Sequence, residues 1–181
     1  MVTVRQEQPA DIAGVRAINE VAFAPHTRLE KELGQSAEAG IVDSIRSACP
    51  DVVSLVAVDA GRIVGHIFFS PVHVSTAVGS VRGMGLAPMA VLPERQRQGI
   101  GSLLVQAGIE AMRKRGCPFI IVLGHPGYYP RFGFVPASQH GLRCQWDGVP
   151  DDAFMVLVLD ENTMSSLSGV ARYRDEFDQA M

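Results

Sequence analysis

The segment from residue 89 to residue 102 reads Met-Ala-Val-Leu-Pro-Glu-Arg-Gln-Arg-Gln-Gly-Ile-Gly-Ser. It runs from an apolar strand-like stretch through a polar loop into the clearest helix pattern of the chain. The first N–H groups of a helix have no partner within it, and the helix dipole adds partial positive charge there. Gly99 and Gly101 let a ligand approach the backbone, Arg95 and Arg97 add positive charge, and Ser102 adds a hydroxyl donor. The segment is therefore predicted to bind a phosphate or pyrophosphate.

This glycine pattern differs from two other phosphate-binding motifs. A P-loop ends in Gly-Lys-Ser/Thr, and no such sequence is present. A Rossmann fingerprint needs three glycines after the first strand of a βαβ unit, whereas here only Gly99-x-Gly101 follows a late strand. Taken alone, a Gly-x-Gly pair more often only lets a helix start tightly, so the wider context has to decide.

The patterns on either side predict a mixed α/β domain. Upstream we expect a short strand over 2–6 and a helix between Pro9 and Pro25. A second, broken helical region is predicted over 27–48, and an antiparallel meander over 52–92. The helix that starts at Ile100 should stop at Gly116 and Pro118. Further strands are predicted over 119–123, 134–135 and 154–159, followed by a polar tail over 165–181 with a few apolar anchors. Residues 1–181 are expected to be one domain, with 160–181 as its C-terminal extension.

Composition limits the classes of function. The 181 residues are 47% hydrophobic and 19% charged, which argues against disorder. Apolar runs are too short to span a membrane, and no signal peptide pattern opens the chain, so a cytoplasmic location is expected. The net charge of −3 is the wrong sign for general nucleic-acid binding. The three cysteines are widely spaced, which favours free thiols and gives no CxxC pair for a metal.

Two motifs in the correct order resemble those of the GNAT N-acetyltransferase superfamily. Gln96-x-x-Gly99-x-Gly101 is similar to its acetyl-CoA-binding pattern, Gln/Arg-x-x-Gly-x-Gly/Ala. Tyr129-Pro-Arg-Phe-Gly-Phe134 is similar to its Tyr-x-Lys/Arg-x-Gly-Phe element. The stretches at 64–72, 86–91 and 122–134 further resemble the YhbS-like branch. The resemblance covers nearly the whole chain and implies the GNAT fold, a mixed and mostly antiparallel sheet flanked by helices in a single domain.

The resemblance implies a binding site for acetyl-CoA as the donor cosubstrate, with no metal. The pyrophosphate of coenzyme A would lie on backbone N–H groups of the glycine loop, and its pantetheine arm would pair like a strand with the strand before that loop. The N–H of Met89 would stabilise the oxyanion of the tetrahedral intermediate. The implied cofactor-binding residues are Met89, Ala90, Val91, Arg97, Gln98, Gly99, Ile100, Gly101 and Ser102.

The implied reaction is direct transfer of acetyl from the thioester to a primary amine. Tyr129 matches the tyrosine that acts as general acid in this family, because its spacing to Gly133-Phe134 agrees. The bland alternative is that Tyr129, like Tyr128, packs against the sheet and cofactor. Covalent catalysis is not expected, so Cys117 and Cys144 are interpreted as ordinary thiols.

The general base is left unassigned. Some members of the family use a glutamate on the strand before the loop, but about that place is occupied here by Gly85. His66 and His73 lie on a predicted strand, where a histidine is more often packed than catalytic. The other candidates are Glu94, which more plausibly caps the helix entrance, the helical Glu30 and Glu32, and a water relay.

The chain departs from the family pattern at a second place, after the fifth strand. Many members carry an asparagine after the fifth strand, whereas Gly124-His-Pro-Gly127 stands here and would bring His125 near the coenzyme.

The missing strand glutamate favours a second class of function, a non-catalytic acyl-CoA sensor or interaction module on the same fold. The amine acceptor, small molecule or protein, is not identified by the sequence, and a homodimer is left open.

Overall fold

The computed structural model describes residues 1–23, 37–76 and 79–179. Its helices are α1 (Ile12–Ala22), α2 (Ala37–Ala48), α3 (Ile100–Lys114) and the single turn α4 (Glu161–Met164). Its strands are β1 (Thr3–Gln6), β2 (Val53–Asp59), β3 (Arg62–Thr76), β4 (Gly79–Val91), β5 (Phe119–Leu123), β6 (Val135–Pro136), β7 (Leu142–Cys144), β8 (Phe154–Val158) and β9 (Gly169–Arg172). None of the helices in these ranges is long and apolar enough to cross a membrane.

The described chain divides into two compact units. The first consists of the described residues within Met1–Phe69, Pro88–Gly108 and Glu176–Ala180, and the second of those within Ser70–Ala87 and Ile109–Asp175. The long strands β3 and β4 each begin in one unit and end in the other. The prediction that residues 1–181 form one domain therefore stays a prediction.

In the first unit, β1, β2 and β3 form an antiparallel ladder with Thr3 opposite Val58 and Val53 opposite Phe69. Helix α3 lies tightly on β3, because glycine removes side chains where the two elements cross. A Cβ on Gly65 would come within 2.9 Å of Leu104, and one on Gly108 within 2.3 Å of Phe69. This close packing fixes the start of α3, where the predicted phosphate loop ends.

On the other face of the same ladder, α1 and α2 pack against each other and bury apolar side chains. Val15 and Ile18 of α1 and Ile45 of α2 are all nearly inaccessible to solvent. The helix predicted from Pro9 is confirmed, although its first turn, Pro9–Asp11, is a 3₁₀ turn. The part of the broken helical region before residue 37 lies outside the described residues, and so do Glu30 and Glu32.

In the second unit, β4 and β5 run parallel with Met84 opposite Ile120, and β8 lies antiparallel to both β5 and β6. The C-terminal β9 pairs antiparallel with the end of β3 and parallel with β7. The predicted polar tail thus contains the strand β9, which the sequence analysis did not predict. Its four residues show little alternation of apolar and polar side chains. The predicted fold class, mixed α/β with a mostly antiparallel sheet and flanking helices, is confirmed.

Candidate active site

The glycine loop joins β4 to α3 and contains two residues in left-handed backbone conformation. After β4 ends at Val91, the chain makes a 3₁₀ turn at Pro93–Arg95. Arg97 then has φ +59° and Gly99 has φ +83°. A Cβ on Gly99 would meet no other atom within 4 Å, so the space above its backbone is open. Glycine is favoured at 99 by the backbone angle and leaves room for a ligand.

The loop presents the N-terminus of α3 with its N–H groups outward. The first helical bond runs from the Leu103 N–H to the Gly99 carbonyl at 3.0 Å, so the N–H groups of residues 100 to 102 have no helical acceptor. Arg97, Gln98 and Gly99 are exposed, and Gly101 and Ser102 are half-buried. Ile100 is buried, with 2% of the residue exposed, and anchors the turn. The predicted loop residues other than Ile100 therefore lie together at an exposed or half-buried helix start.

The strand that leads into the loop carries the other predicted contacts. Met89 and Val91 are half-buried, whereas Ala90 is 2% exposed. The Gln96 side chain donates to the Val91 carbonyl at 3.2 Å and so ties the loop to the strand end. The glutamine of the motif thus has a structural role that sequence reasoning missed.

Two charged residues beside the loop, Arg95 and Glu94, form ion pairs that the sequence analysis did not predict. The Arg95 guanidinium donates to Asp59 Oδ2 at 2.8 Å and to Gln98 Oε1 at 3.2 Å, and its hydrogen bond holds the pKa of Asp59 below the usual range. Arg95 thus forms an ion pair with Asp59, and the expectation that it adds positive charge for a phosphate stays a prediction. Glu94 pairs with Arg62 at 3.1 Å instead of capping the helix with its side chain.

Tyr129 belongs to the second unit and is 7% exposed. It opens the 3₁₀ turn Tyr129–Phe132, and its ring makes edge contacts with Tyr128 and Phe134 at centroid distances of 5.1 and 5.6 Å. A Cβ on Gly124 would come within 2.3 Å of the Tyr129 ring, so Gly124 makes room for it. Burial raises the pKa of the Tyr129 phenol, and the group is protonated at neutral pH as it would be at its ordinary pKa.

The absence of a glutamate at position 85 of β4 has a steric explanation. A Cβ on Gly85 would come within 2.6 Å of the Tyr173 ring and 2.8 Å of Val72. The Tyr173 ring is itself stacked on Trp146 with centroids 5.3 Å apart. No side chain, and least of all a carboxylate, fits at position 85 while Tyr173 occupies that space.

The histidine candidates for the base differ in environment. His66 is fully buried, and its ring nitrogens lie 3.0 Å from Asn19 Nδ2 and 2.9 Å from Ser54 Oγ. Burial, with a smaller contribution from Arg46, lowers the pKa of His66 to about 3. His66 is therefore a packed histidine and not a base for a substrate amine. His73 is exposed and lies opposite Arg172 of β9, and His125 is exposed at the turn after β5.

Thiol and metal chemistry find no support in the described residues. Burial raises the pKa of both the Cys117 and the Cys144 thiol, so neither is an activated nucleophile. Within residues 1–23, 37–76 and 79–179, no three side chains of His, Cys, Asp or Glu are grouped so that they could hold a metal ion.

Comparison with known proteins defines the class. The family model described as Acetyltransferase (GNAT) family matches residues 17–134, and the chain belongs to this family of acyltransferases. It is 32% identical over 177 residues to the protein named Uncharacterized N-acetyltransferase YhbS from Escherichia coli K12, covering 97% of this chain and 98% of that protein. A second protein of that strain, Uncharacterized N-acetyltransferase YjhQ, is 39% identical over 132 residues, which cover 71% of this chain and 67% of YjhQ.

Two solved structures are similar over nearly the whole chain. The crystal structure of the GNAT family N-acetyltransferase YhbS from Escherichia coli in complex with CoA has a TM-score of 0.85 at 31% identity, and the match covers 98% of this chain and 92% of that one. A GNAT family acetyltransferase from Brucella melitensis in complex with acetyl-CoA has a TM-score of 0.76 at 32% identity, covering 98% and 99%. The predicted superfamily and its YhbS-like branch are confirmed.

Proposed function

We propose that this protein is an acetyl-CoA-dependent N-acetyltransferase that moves the acetyl group directly from the thioester to a primary amine. The observation that carries the proposal is the accessible N-terminus of α3 behind a loop whose Arg97 and Gly99 are left-handed. Oriented backbone N–H groups at such a terminus suit a pyrophosphate. That the YhbS and Brucella melitensis structures are complexes with CoA and acetyl-CoA supports coenzyme A as the ligand.

The coenzyme is held mainly by the backbone in this proposal. The N–H groups of residues 97 to 102 bind the pyrophosphate, and the Ser102 hydroxyl adds a donor. The main chain from Met89 to Val91 pairs with the amides of the pantetheine arm, as an extended ligand pairs with a strand edge. The Met89 N–H then faces the thioester carbonyl and stabilises its oxyanion.

The chemistry needs two proton movements. The attacking nitrogen forms a bond to the acetyl carbonyl carbon and loses a proton, and the carbon–sulfur bond breaks as the tetrahedral intermediate collapses. Tyr129, which is protonated at neutral pH as tyrosines ordinarily are, gives its proton to the departing thiolate. Since Tyr173 fills the space beside Gly85, no carboxylate on β4 takes the proton of the amine. The amine enters as the free base, and its nitrogen loses one proton to water as the amide forms.

A second function, an acyl-CoA sensor or interaction module, is favoured by the same observation at Gly85. Both functions require the loop to bind the coenzyme, and only the enzyme requires proton transfer. The crowded position 85 therefore bears on turnover and not on binding.

Calorimetric titration with acetyl-CoA and free coenzyme A tests the shared part of both proposals. We expect saturable binding that Gly101→Val abolishes, because the added side chain occupies the space that the pyrophosphate needs. Ser102→Ala is the milder companion, with a loss of about 1 kcal/mol for one hydrogen bond, since the backbone donors remain. Folded protein that does not bind either ligand, or a folded Gly101→Val that binds like wild type, would contradict the assignment of the loop. With binding established, thiol release on addition of candidate amines identifies the acceptor and separates enzyme from sensor.

A further inference from the structure

Two ion pairs connect the turn between β2 and β3 to the loop that precedes α3. Arg95 donates to Asp59 at 2.8 Å, and Arg62 donates to Glu94 at 3.1 Å. The side chains of the first pair are 26% and 23% exposed, whereas those of the second are 67% and 55% exposed. Because solvent screens exposed pairs strongly, only the Asp59–Arg95 pair is placed to hold the loop.

The Asp59–Arg95 contact continues into the glycine loop. Arg95 Nε donates to Gln98 Oε1 at 3.2 Å, and Gln98 Nε2 donates to the Glu94 carbonyl at 3.1 Å. These bonds bracket Arg97, whose φ of +59° is disfavoured for a residue with a side chain. The Arg95 N–H also closes the 3₁₀ turn onto the Leu92 carbonyl at 2.8 Å. The tight backbone turn is thus tethered through Arg95 to a carboxylate outside the loop.

The carboxylate of Asp59 has two cationic neighbours, of which the Met1 amino group is almost fully exposed. Its Oδ2 accepts from Arg95, and its Oδ1 lies 3.0 Å from the amino group of Met1. Asp59 ends β2 and faces Arg62, the first residue of β3, across the turn. The left-handed Ala60 and Gly61, with φ of +48° and +78°, form that turn. A two-residue hairpin turn therefore places the Asp59 carboxylate at the start of β3.

We propose that Asp59 is a positioning residue for coenzyme A, which acts by holding Arg95 so that the loop presents its N–H groups to the pyrophosphate. Asp59 does not touch the coenzyme, and Arg95 is a tether and not a phosphate ligand. The inference rests on the proposed binding function of the loop. Asp59 lies 38 positions before Arg97, in a part of the chain that carries none of the binding motif.

The test is calorimetric titration of free coenzyme A into five variants at 25 °C, with circular dichroism and melting temperature as checks of folding. The variants are Asp59→Asn, Arg95→Gln, the double variant, Asp59→Glu and Arg62→Gln. We expect Asp59→Asn and Arg95→Gln each to raise the Kd about five-fold, the size of a partly shielded ion pair. The double variant should bind no more weakly than either single one, because both remove the same tether. Asp59→Glu keeps the carboxylate and should stay within about two-fold of wild type.

Arg62→Gln is the matched control, since it breaks the exposed pair between the same two segments and should leave the Kd unchanged. If Arg95 instead contacts the phosphate, Arg95→Gln weakens binding while Asp59→Asn, by freeing Arg95, leaves it unchanged or tightens it. That result overturns the proposal, as does a fall in melting temperature with an unchanged Kd. Wild-type protein that is folded and does not bind coenzyme A overturns the proposed function instead, and the role of Asp59 with it.

Discussion

Lowering the pH from 7 to 5 should destabilise the protein by about 2 kcal/mol through His66 alone. His66 is buried with a pKa lowered to about 3, whereas an unfolded histidine has its ordinary pKa of 6.5. Between these values the unfolded chain binds a proton that the folded chain does not, so the free energy of unfolding decreases as the pH falls from 6.5. Each unit contributes about 1.36 kcal/mol, and the 1.5 units between 6.5 and 5 give about 2 kcal/mol.

The hydrogen bonds of His66 explain why the folded state resists this proton. The Asn19 side chain donates to the Val15 carbonyl at 2.9 Å and therefore presents its second N–H to His66 Nδ1 at 3.0 Å. Nδ1 must accept, so the proton of the neutral ring lies on Nε2 and is donated to Ser54 Oγ. The Ser54 hydroxyl in turn donates to the Glu7 carboxylate, which Arg46 also binds at 2.7 Å. A second ring proton would point at the donor group of Asn19.

Urea unfolding followed by circular dichroism at pH 7, 6 and 5 measures the loss, and His66→Gln is the control. The variant removes the titrating group, so the difference in slope between it and wild type belongs to His66. Asp11, whose pKa the Arg5 hydrogen bond lowers to about 2, titrates below this pH range. If His66→Gln does not fold, NMR titration of the His66 imidazole in wild type serves instead. Equal losses in both proteins, or a His66 that becomes protonated near pH 6.5 while folded, would refute the reasoning.

Two further predictions concern the second unit. Gly85→Ala should lower the free energy of unfolding by about 1–3 kcal/mol in urea unfolding, since its Cβ would overlap Tyr173 and Val72. Gly127→Ala is the control, because a Cβ there meets nothing within 4 Å. Equal effects of the two substitutions would contradict the crowding at position 85. Tyr129→Phe keeps the ring contacts and should therefore leave the Kd for acetyl-CoA unchanged while thiol release with an amine acceptor falls; undiminished release would exclude Tyr129 as the general acid.

The parts of the site that are local in sequence could be predicted from the sequence. The apolar run, the glycine pair and the following helix lie within one segment, and each has a recognised physical signature. The contacts of Arg95 and of Gly85 could not be predicted in this way. Asp59 lies 36 residues before Arg95, and Tyr173 lies 88 residues after Gly85. A charge and a glycine carry no mark of their distant partners, so only the folded chain shows why each is there.

The proposed function has two requirements, coenzyme binding and proton donation, which are assigned to different residues and can be tested separately. Binding is assigned to the end of β4 at 88–91 and the loop at 96–102, which belong to the first unit, together with the tether at Asp59. Proton donation is assigned to Tyr129, whose packing against Gly124 and Phe134 is internal to the second unit. A change at Asp59 should therefore alter affinity without touching the surroundings of Tyr129, and Tyr129→Phe should alter turnover without touching the loop. A sensor would respond only to the first kind of change, and an acetyltransferase must respond to both.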